Sequence, residues 1–217
     1  MKKEKRTDLY AAFGLLTAFS LWTAILCFAD VQPVGPHDTS VGLAAMNLFF
    51  HNLTGVHMSL YTITDFLGLV PLGFIMGFAL LGLRQWVKRK YIREVDYSIL
   101  VLGGFYLVVM AIYVLFEIFA VNYRPVLING YPEVSYPSST TMLVLCVMQT
   151  ALMQLNARIQ NNMLKRCVAA GIRFFIIFMV IGRLISGVHW LSDIIGGILL
   201  STGLTRMYRA VIRGNIR

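Results

Sequence analysis

The chain has 217 residues, of which 58% are hydrophobic and 13% charged, and its mean hydropathy is +0.71. Soluble domains are about half apolar and about a quarter charged, so this composition excludes most of them. The net charge of +9 would suit nucleic-acid binding, and its distribution along the chain decides that question. The three cysteines, Cys27, Cys146 and Cys167, lie in apolar runs, with the spacing of neither a zinc site nor a disulfide framework.

Six apolar segments approach or reach the roughly 20 residues that cross a bilayer. In chain order they are Tyr10–Ala29, Phe66–Leu83, Ile99–Val121, Thr141–Leu155, Val168–Ser186 and Ile194–Tyr208. The first is too long for the apolar part of a signal peptide, and no small-residue cleavage site follows it. The fourth and sixth are short, and we expect them to extend into their flanks. The sequence therefore predicts an all-α membrane protein, a single domain over residues 1–217 with six transmembrane helices.

Basic residues predict how these helices are oriented. Six spans would place 17 of the 19 lysines and arginines on one side of the membrane. These 17 are Lys2, Lys3, Lys5, Arg6, Arg84, Lys88, Arg89, Lys90, Arg93, Arg158, Lys165, Arg166, Arg173, Arg206, Arg209, Arg213 and Arg217. Because cytoplasmic loops concentrate basic residues, both termini are predicted to be cytoplasmic. The charge is then a topology signal with some attraction to anionic membrane lipids, and we expect no nucleic-acid partner.

Three polar residues cluster at the outward turn between the fifth and sixth spans. They are Arg183, His189 six positions later, and Asp193 four positions after that. A carboxylate that accepts a hydrogen bond from one imidazole nitrogen leaves the other nitrogen free as a base or nucleophile. A plainer alternative is an interfacial histidine beside an aspartate that caps a helix.

Two further outward segments have residues that favour the binding of an anion. Arg124, before Pro125, lies just outside the third span, where an arginine needs an anionic partner. That partner is either a phosphate, which a guanidinium binds through two parallel hydrogen bonds, or a carboxylate. The candidate carboxylates are Glu117, Glu133 and Asp193. Ser138 and Ser139 precede the fourth span, where they cap a helix or bind an anion with its first amides. Together the three segments predict a phosphate pocket with a nucleophile.

These residues resemble the motifs of the type-2 phosphatidic acid phosphatase superfamily, which comprises lipid phosphate phosphatases and, as relatives, the vanadium haloperoxidases. The family motifs read Lys-x6-Arg-Pro, Pro-Ser-Gly-His and Ser-Arg-x5-His-x3-Asp. Arg124-Pro125 matches the end of the first motif and Pro137-Ser138 the start of the second. The third motif is matched at its spacing by Arg183, His189 and Asp193. The resemblance covers residues 60–205, and it extends to the family's six-span layout with outward motifs.

The resemblance implies a function and a role for each matching residue. His189 is expected to attack phosphorus and form a phosphohistidine, with Asp193 orienting it. The expected phosphate-binding residues are Arg124, Arg183, Ser138 and Ser139. The implied reaction is hydrolysis of a lipid phosphate or diphosphate at the outer face of the plasma membrane, with no metal or cofactor.

Four positions depart from the family pattern: Glu117 replaces the Lys, Ser139 the Gly, Thr140 the second His, and Gly182 the Ser. The missing histidine is the family's proton donor, and its loss costs about 10²–10⁴-fold for a poor leaving group. A lipid diphosphate would need no donor, because the departing phosphate has a second pKa of about 6. Otherwise another group donates the proton, or the protein binds lipid phosphate without turnover. The candidate substitute donors are His57, His51, Glu117 and Thr140.

Two other classes of function stay open at this point. One is a phosphotransferase on the same scaffold, and the other is a lipid-phosphate binding or transport protein. A channel would carry more charged residues deep within its spans, so that class is disfavoured. Among the remaining residues, Asp65 is predicted to cap a helix, with contact to a lipid headgroup as the alternative. The pairs Gly196-Gly197 and Gly103-Gly104 are predicted to permit close helix packing.

Overall fold

The computed structural model describes residues 2–213, so Met1 and residues 214–217, Arg217 among them, lie outside it. Within residues 2–213 the chain forms eight α-helices. They are α1 (Lys2–Phe28), α2 (Ala44–Thr54), α3 (Met58–Leu67), α4 (Leu69–Arg89), α5 (Tyr97–Ile118), α6 (Ser139–Arg158), α7 (Asn162–Ile185) and α8 (Leu191–Ile212). In this range β-type pairing is limited to three isolated bridges in loops. The predicted all-α class is confirmed.

Five segments of the described range are long and apolar enough to cross a membrane: Lys3–Phe28, Met58–Arg89, Tyr97–Ile118, Ser139–Arg158 and Asn162–Ile185. They correspond to the first five predicted spans, and the protein is accordingly an integral membrane protein. The predicted sixth span falls in α8, which is not among them. Helix α8 packs most extensively on α1 and also on α6 and α5. Because these neighbours shield it from lipid, α8 tolerates polar residues such as Ser201 and Thr205, both buried.

The region before the predicted second span differs from expectation. Residues expected to form an outward loop include helices α2 and α3, and α3 runs into α4 with a break at Gly68. Asp65 lies in the last turn of α3, and the N-cap residue of α4 is Gly68. The prediction that Asp65 caps a helix is therefore wrong. The break turns the side chains of α3 toward α7, against which α3 packs.

Paired glycines in α8 allow the chain before α6 to lie directly against it. A Cβ on Gly196 would lie 2.5 Å from Cε2 of Tyr136, and one on Gly197 would lie 3.2 Å from Cγ2 of Thr141. The predicted close approach is confirmed at Gly196 and Gly197. It is wrong at Gly103 and Gly104 of α5, where an added Cβ would meet nothing within 4 Å. Tyr136 is buried, and its hydroxyl lies 2.7 Å from the Thr23 hydroxyl of α1. This packing fixes the segment that leads into α6.

Basic residues gather at the end of the bundle where α1 begins and α8 ends. Asp8 is buried there, 3.1 Å from the Arg206 guanidinium and 2.7 Å from that of Arg213. Asp96, which precedes α5, lies 3.2 Å from the Arg158 guanidinium at the end of α6. These pairs tie the helix ends together. The opposite end of the bundle holds the start of α8 and the end of α7.

We predict that Gly196→Ala destabilises the protein. The added methyl group would overlap the Tyr136 ring, and overpacking of this kind costs about 1–3 kcal/mol. A lower melting temperature of the purified protein in detergent is the expected result. The control is Gly103→Ala in α5, where an added Cβ meets nothing within 4 Å and the gain in helix propensity is at most about 1 kcal/mol. Equal melting temperatures for both variants would contradict the close packing of α8.

Candidate active site

Three segments converge at the end of the bundle opposite the basic residues. The loop between α5 and α6 folds back on itself: the Arg124 amide donates to the Glu133 carbonyl at 2.9 Å, and the Ser135 amide donates to the Asn122 carbonyl at 2.9 Å. The last turn of α7 carries Arg183, and a tight turn then leads to His189 and α8. Gly187 has a φ of +69° in that turn, where a Cβ would lie 2.1 Å from a backbone oxygen of the α2–α3 loop. Only glycine fits there without strain.

His189 and Asp193 are both buried, and a serine hydroxyl connects them. The shortest distance between Nδ1 of His189 and Oδ2 of Asp193 is 3.9 Å, too long for a hydrogen bond. The Ser135 Oγ lies 3.0 Å from Nδ1 of His189 and donates a hydrogen bond to Oδ2 of Asp193. The predicted histidine–aspartate pair is thus close, and Ser135 connects the two side chains.

This connection assigns the tautomer of His189. A serine hydroxyl has one hydrogen, and that of Ser135 is directed to Asp193. In the contact with the imidazole, Nδ1–H of His189 therefore donates and the Ser135 oxygen accepts. Nε2 then carries the lone pair, and it lies 3.4 Å from Nη2 of Arg183. The unprotonated nitrogen points toward the arginine.

The surroundings of His189 also keep it neutral. Burial lowers the pKa of His189 well below its usual 6.5, and the positive charges of Arg124 and Arg183 lower it further. A neutral imidazole with a free Nε2 lone pair is the form that acts as a nucleophile or base.

A set of buried donors holds the Asp193 carboxylate. Oδ2 accepts a hydrogen bond from the Trp190 amide at 2.9 Å, and Oδ1 accepts one from Nδ2 of Asn122 at 3.3 Å. Asn47 of α2 donates to the Ser192 hydroxyl at 2.9 Å, and that hydroxyl lies 3.4 Å from Oδ1. Asn47, Asn122, Ser192 and Asp193 are all buried. The carboxylate position is therefore fixed from three segments.

Arg124 and Arg183 are buried at the same place, with donors left over. The Tyr61 ring of α3 lies 5.0 Å from the Arg183 guanidinium carbon and 5.9 Å from that of Arg124. In the described residues, Nε and Nη1 of both arginines are buried and have no hydrogen-bond partner. Unsatisfied buried charged donors are costly. Within the described residues, these four arginine nitrogens therefore have no hydrogen-bond acceptor.

Two carboxylates lie near these arginines at their solvent side. Oδ1 of Asp65 is 3.5 Å from Nη1 of Arg183, and Oε2 of Glu133 is 3.2 Å from Nε of Arg124. Both contacts balance charge without hydrogen-bond geometry. The Asp65 and Glu133 side chains are 58% and 42% exposed, whereas that of Arg183 is 1% exposed. The N–H groups of both arginines therefore remain free to donate hydrogen bonds to an anion.

At the start of α6, Ser138 caps the helix and links it to α8. Ser138 is the buried N-cap residue of α6, and its hydroxyl accepts from the Thr141 amide at 3.5 Å. The Ser138 amide donates to the backbone carbonyl of Asp193 at 3.1 Å, so the cap is joined to α8. Helix capping by Ser138 is observed, and a phosphate-binding role for Ser138 and Ser139 stays a prediction.

The candidate substitute donors lie apart from the arginines. His57 is exposed, and its Nε2 lies 2.9 Å from the Thr54 carbonyl oxygen. Glu117 is exposed in the last turn of α5, beside a small cavity that Ser135 and Ser139 also line. His51 packs on the Trp190 ring at 5.4 Å. In residues 2–213, no hydrogen bond or ion pair joins these three side chains to Arg124 or Arg183.

An apolar cavity of about 500 Å³ begins beside this site and runs between α4, α5 and α6. Asp65, Ser139 and Thr140 line its outer end. From Ser139 to Val147 the cavity follows α6 for eight residues, which is about 12 Å of helix. Its inner walls are apolar. They include Leu72, Ile75, Leu107, Met110, Leu143 and Val147.

Sequence reasoning missed Ser135, Asn122, Tyr61 and the position of Asp65. Ser135 lies 54 positions from His189 along the chain, so no local spacing indicates the contact. Tyr61 and Asp65, four residues apart, share a helix face, but the segment was expected to be a loop and the start of a span. No three His, Cys, Asp or Glu side chains in the described residues gather as a metal site.

We predict that inorganic phosphate stabilises the protein through Arg183. A ligand at 100 times its Kd adds about 2.7 kcal/mol to the folded state, so phosphate should raise the melting temperature. Arg183→Lys should lose most of this shift, because an ammonium lacks the paired donors of a guanidinium. Arg173→Lys, an exposed position on the same helix, is the control and should keep the shift. An undiminished shift in Arg183→Lys would exclude this anion site.

The chain is similar to known proteins in part of its sequence and in its fold. The PAP2 superfamily profile matches residues 117–217, whereas no curated protein sequence matches the chain. The fold is similar to that of a solved transmembrane PAP2-type phosphatidylglycerolphosphate phosphatase from Bacillus subtilis. The TM-score is 0.62 at 17% identity, over 94% of this chain and 96% of the other. Residues 117–217 thus match the PAP2 superfamily profile, and the chain as a whole has a fold similar to that of this membrane phosphatase.

Proposed function

We propose that this protein hydrolyses a lipid phosphate or diphosphate at the extracytoplasmic face of the membrane through a phosphohistidine intermediate. The observation that carries the proposal is the approach of Nε2 of His189 to Arg183, at 3.4 Å, beside unsatisfied N–H groups of both arginines. A phosphoryl group bound by those N–H groups would present phosphorus to the Nε2 lone pair. The PAP2 match of residues 117–217 supports the same chemistry.

The proposed reaction has two steps. Nε2 of His189 forms a bond to phosphorus while the bond to the leaving oxygen breaks. The imidazole then carries a positive charge, which the Ser135 hydroxyl and the Asp193 carboxylate stabilise through Nδ1–H. Water next attacks phosphorus, the P–N bond breaks, and phosphate is released. Arg124 and Arg183 bind the phosphoryl oxygens in both steps, and charge stabilisation of this kind dominates phosphoryl transfer.

A lipid substrate is supported by the cavity of about 500 Å³. It continues from Asp65 and Thr140 along an open apolar groove between α4, α5 and α6, where Leu107 and Met110 are exposed. A phosphate at the arginines would therefore leave room for an attached hydrocarbon chain in this cavity. A phosphorylated glycerolipid, the substrate class named for the similar Bacillus subtilis structure, and a polyprenyl diphosphate both have this form.

We further propose that α8 is a sixth span and that both termini are cytoplasmic. Helix α8 has 22 residues, or about 33 Å, enough for a hydrocarbon core of about 30 Å. The basic residues of α1, α4, α6 and α8 favour a cytoplasmic location for that end of the bundle. The site would then face outward, at the level of the lipid headgroups of the plasma membrane.

The direct test is phosphate release from a panel of lipid monophosphates and diphosphates by the purified protein. We expect the wild type to release phosphate and His189→Ala to lose about 10⁴-fold or more in rate, as when other catalytic nucleophiles are removed. Phosphate-dependent thermal stabilisation serves as the control that the variant still folds and binds.

Three results would contradict the proposal. Equal phosphate release by His189→Ala would exclude this histidine as the nucleophile. Absence of release from every lipid, with phosphate stabilisation retained, would favour a lipid-phosphate binding protein. Transfer of the phosphoryl group to an added alcohol in preference to water would identify a phosphotransferase.

We predict that Ser135→Ala lowers kcat with little change in KM. The hydroxyl holds the Nδ1–H tautomer without contacting the arginines, so its loss should affect the chemical step by about 10²-fold. Ser135→Thr keeps a hydroxyl and should restore most of the activity. If Ser135→Thr is as inactive as Ser135→Ala, the hydroxyl is not what this position contributes.

A further inference from the structure

Resting on the proposed function, we infer that Asp65 donates the proton to the leaving lipid oxygen. A lipid phosphate monoester leaves as an alkoxide, which needs a proton as the P–O bond breaks. The motif position that would carry a donor histidine is Thr140 in this chain. Asp65 lies on another element, α3, which packs on α7.

The position of Asp65 follows from two contacts. Its Oδ1 is 3.5 Å from Nη1 of Arg183, which places it beside the phosphate pocket. The same residue lines the outer end of the apolar cavity, together with Ser139 and Thr140. The bridging oxygen of a lipid phosphate must lie where these two spaces meet. Two ionisable side chains of the described residues, Asp65 and Tyr113, line this outer part of the cavity, and Asp65 is the carboxyl group that borders both spaces.

The neighbourhood of Thr140 supports this position. A Cβ on Gly68, three residues after Asp65, would lie 3.7 Å from Cγ2 of Thr140. The end of α3 thus packs beside the first turn of α6. Asp65 and Thr140 therefore lie on neighbouring elements and line the same end of the cavity.

Other ionisable groups of the cavity are less well placed. The Tyr106 hydroxyl lies 3.1 Å from the Thr150 hydroxyl, at the inner end. Tyr113 lies near the outer end, but its hydroxyl pairs with Glu117. Neither tyrosine contacts Arg183 within residues 2–213.

The proton balance closes over the two steps. As Nε2 of His189 bonds to phosphorus, the P–O bond breaks and the leaving oxygen takes the Asp65 proton, giving the lipid alcohol. Water then returns a proton to the Asp65 carboxylate while its oxygen attacks phosphorus. The first step begins with the Asp65 carboxyl group protonated.

The test compares a monophosphate and a diphosphate of the same lipid alcohol. Asp65→Asn should slow monophosphate hydrolysis by about 10²–10⁴-fold. Diphosphate hydrolysis should fall by less than about tenfold, because the departing phosphate, with a second pKa of about 6, needs little protonation. Glu133→Gln is the matched control, since it removes the carboxylate paired with the other arginine, and it should slow both substrates by the same factor. Tyr113→Phe should leave the ratio of the two rates unchanged.

Three results would overturn the inference while leaving the proposed function intact. They are equal slowing of both substrates by Asp65→Asn, a selective loss in Tyr113→Phe, and a wild type that hydrolyses the diphosphate alone. A wild type that hydrolyses neither lipid contradicts the proposed function itself, and the inference falls with it.

Discussion

Two guanidinium groups are buried at one end of a helical bundle, and the carboxylates near them stay partly in solvent. Taking a charge out of water costs several kcal/mol unless it is paired and hydrogen-bonded. Four N–H-bearing atoms of Arg124 and Arg183 lack an acceptor in the described residues. Packing of α7, α8 and the α5–α6 loop keeps both arginines buried despite this cost. A bound anion would accept hydrogen bonds from their free N–H groups.

The same burial determines the state of the histidine. Positive charge and low polarity keep His189 neutral, and the Ser135 hydroxyl holds its proton on Nδ1. Ser135 reaches this place because Tyr136, next to it, packs against Gly196 of α8. The glycines of α8 thus allow the packing that places the Ser135 hydroxyl at Nδ1 of His189.

The sequence predicted the parts whose signals are local. Arg183, His189 and Asp193 are close in the chain, so their spacing indicated a shared site. The all-α class followed from the apolar segments. Ser135 and Asn122 meet Asp193 across 58 and 71 positions, and no pattern within one segment encodes such contacts. Helix α8 lacks the composition of a lipid-exposed span because its neighbours surround it. The position of Asp65 was not predicted because the break at Gly68 makes α3 a separate helix.

The central claim is that Nε2 of His189 forms a covalent bond to phosphorus. The most direct measurement is to mix the protein with a lipid phosphate labelled with ³²P, quench in alkali and locate the label in the digested chain. The account predicts an acid-labile, alkali-stable label on the peptide that contains His189, absent from His189→Ala. A label that persists in His189→Ala, or rapid turnover by the wild type with no labelled protein at any quench time, would contradict it.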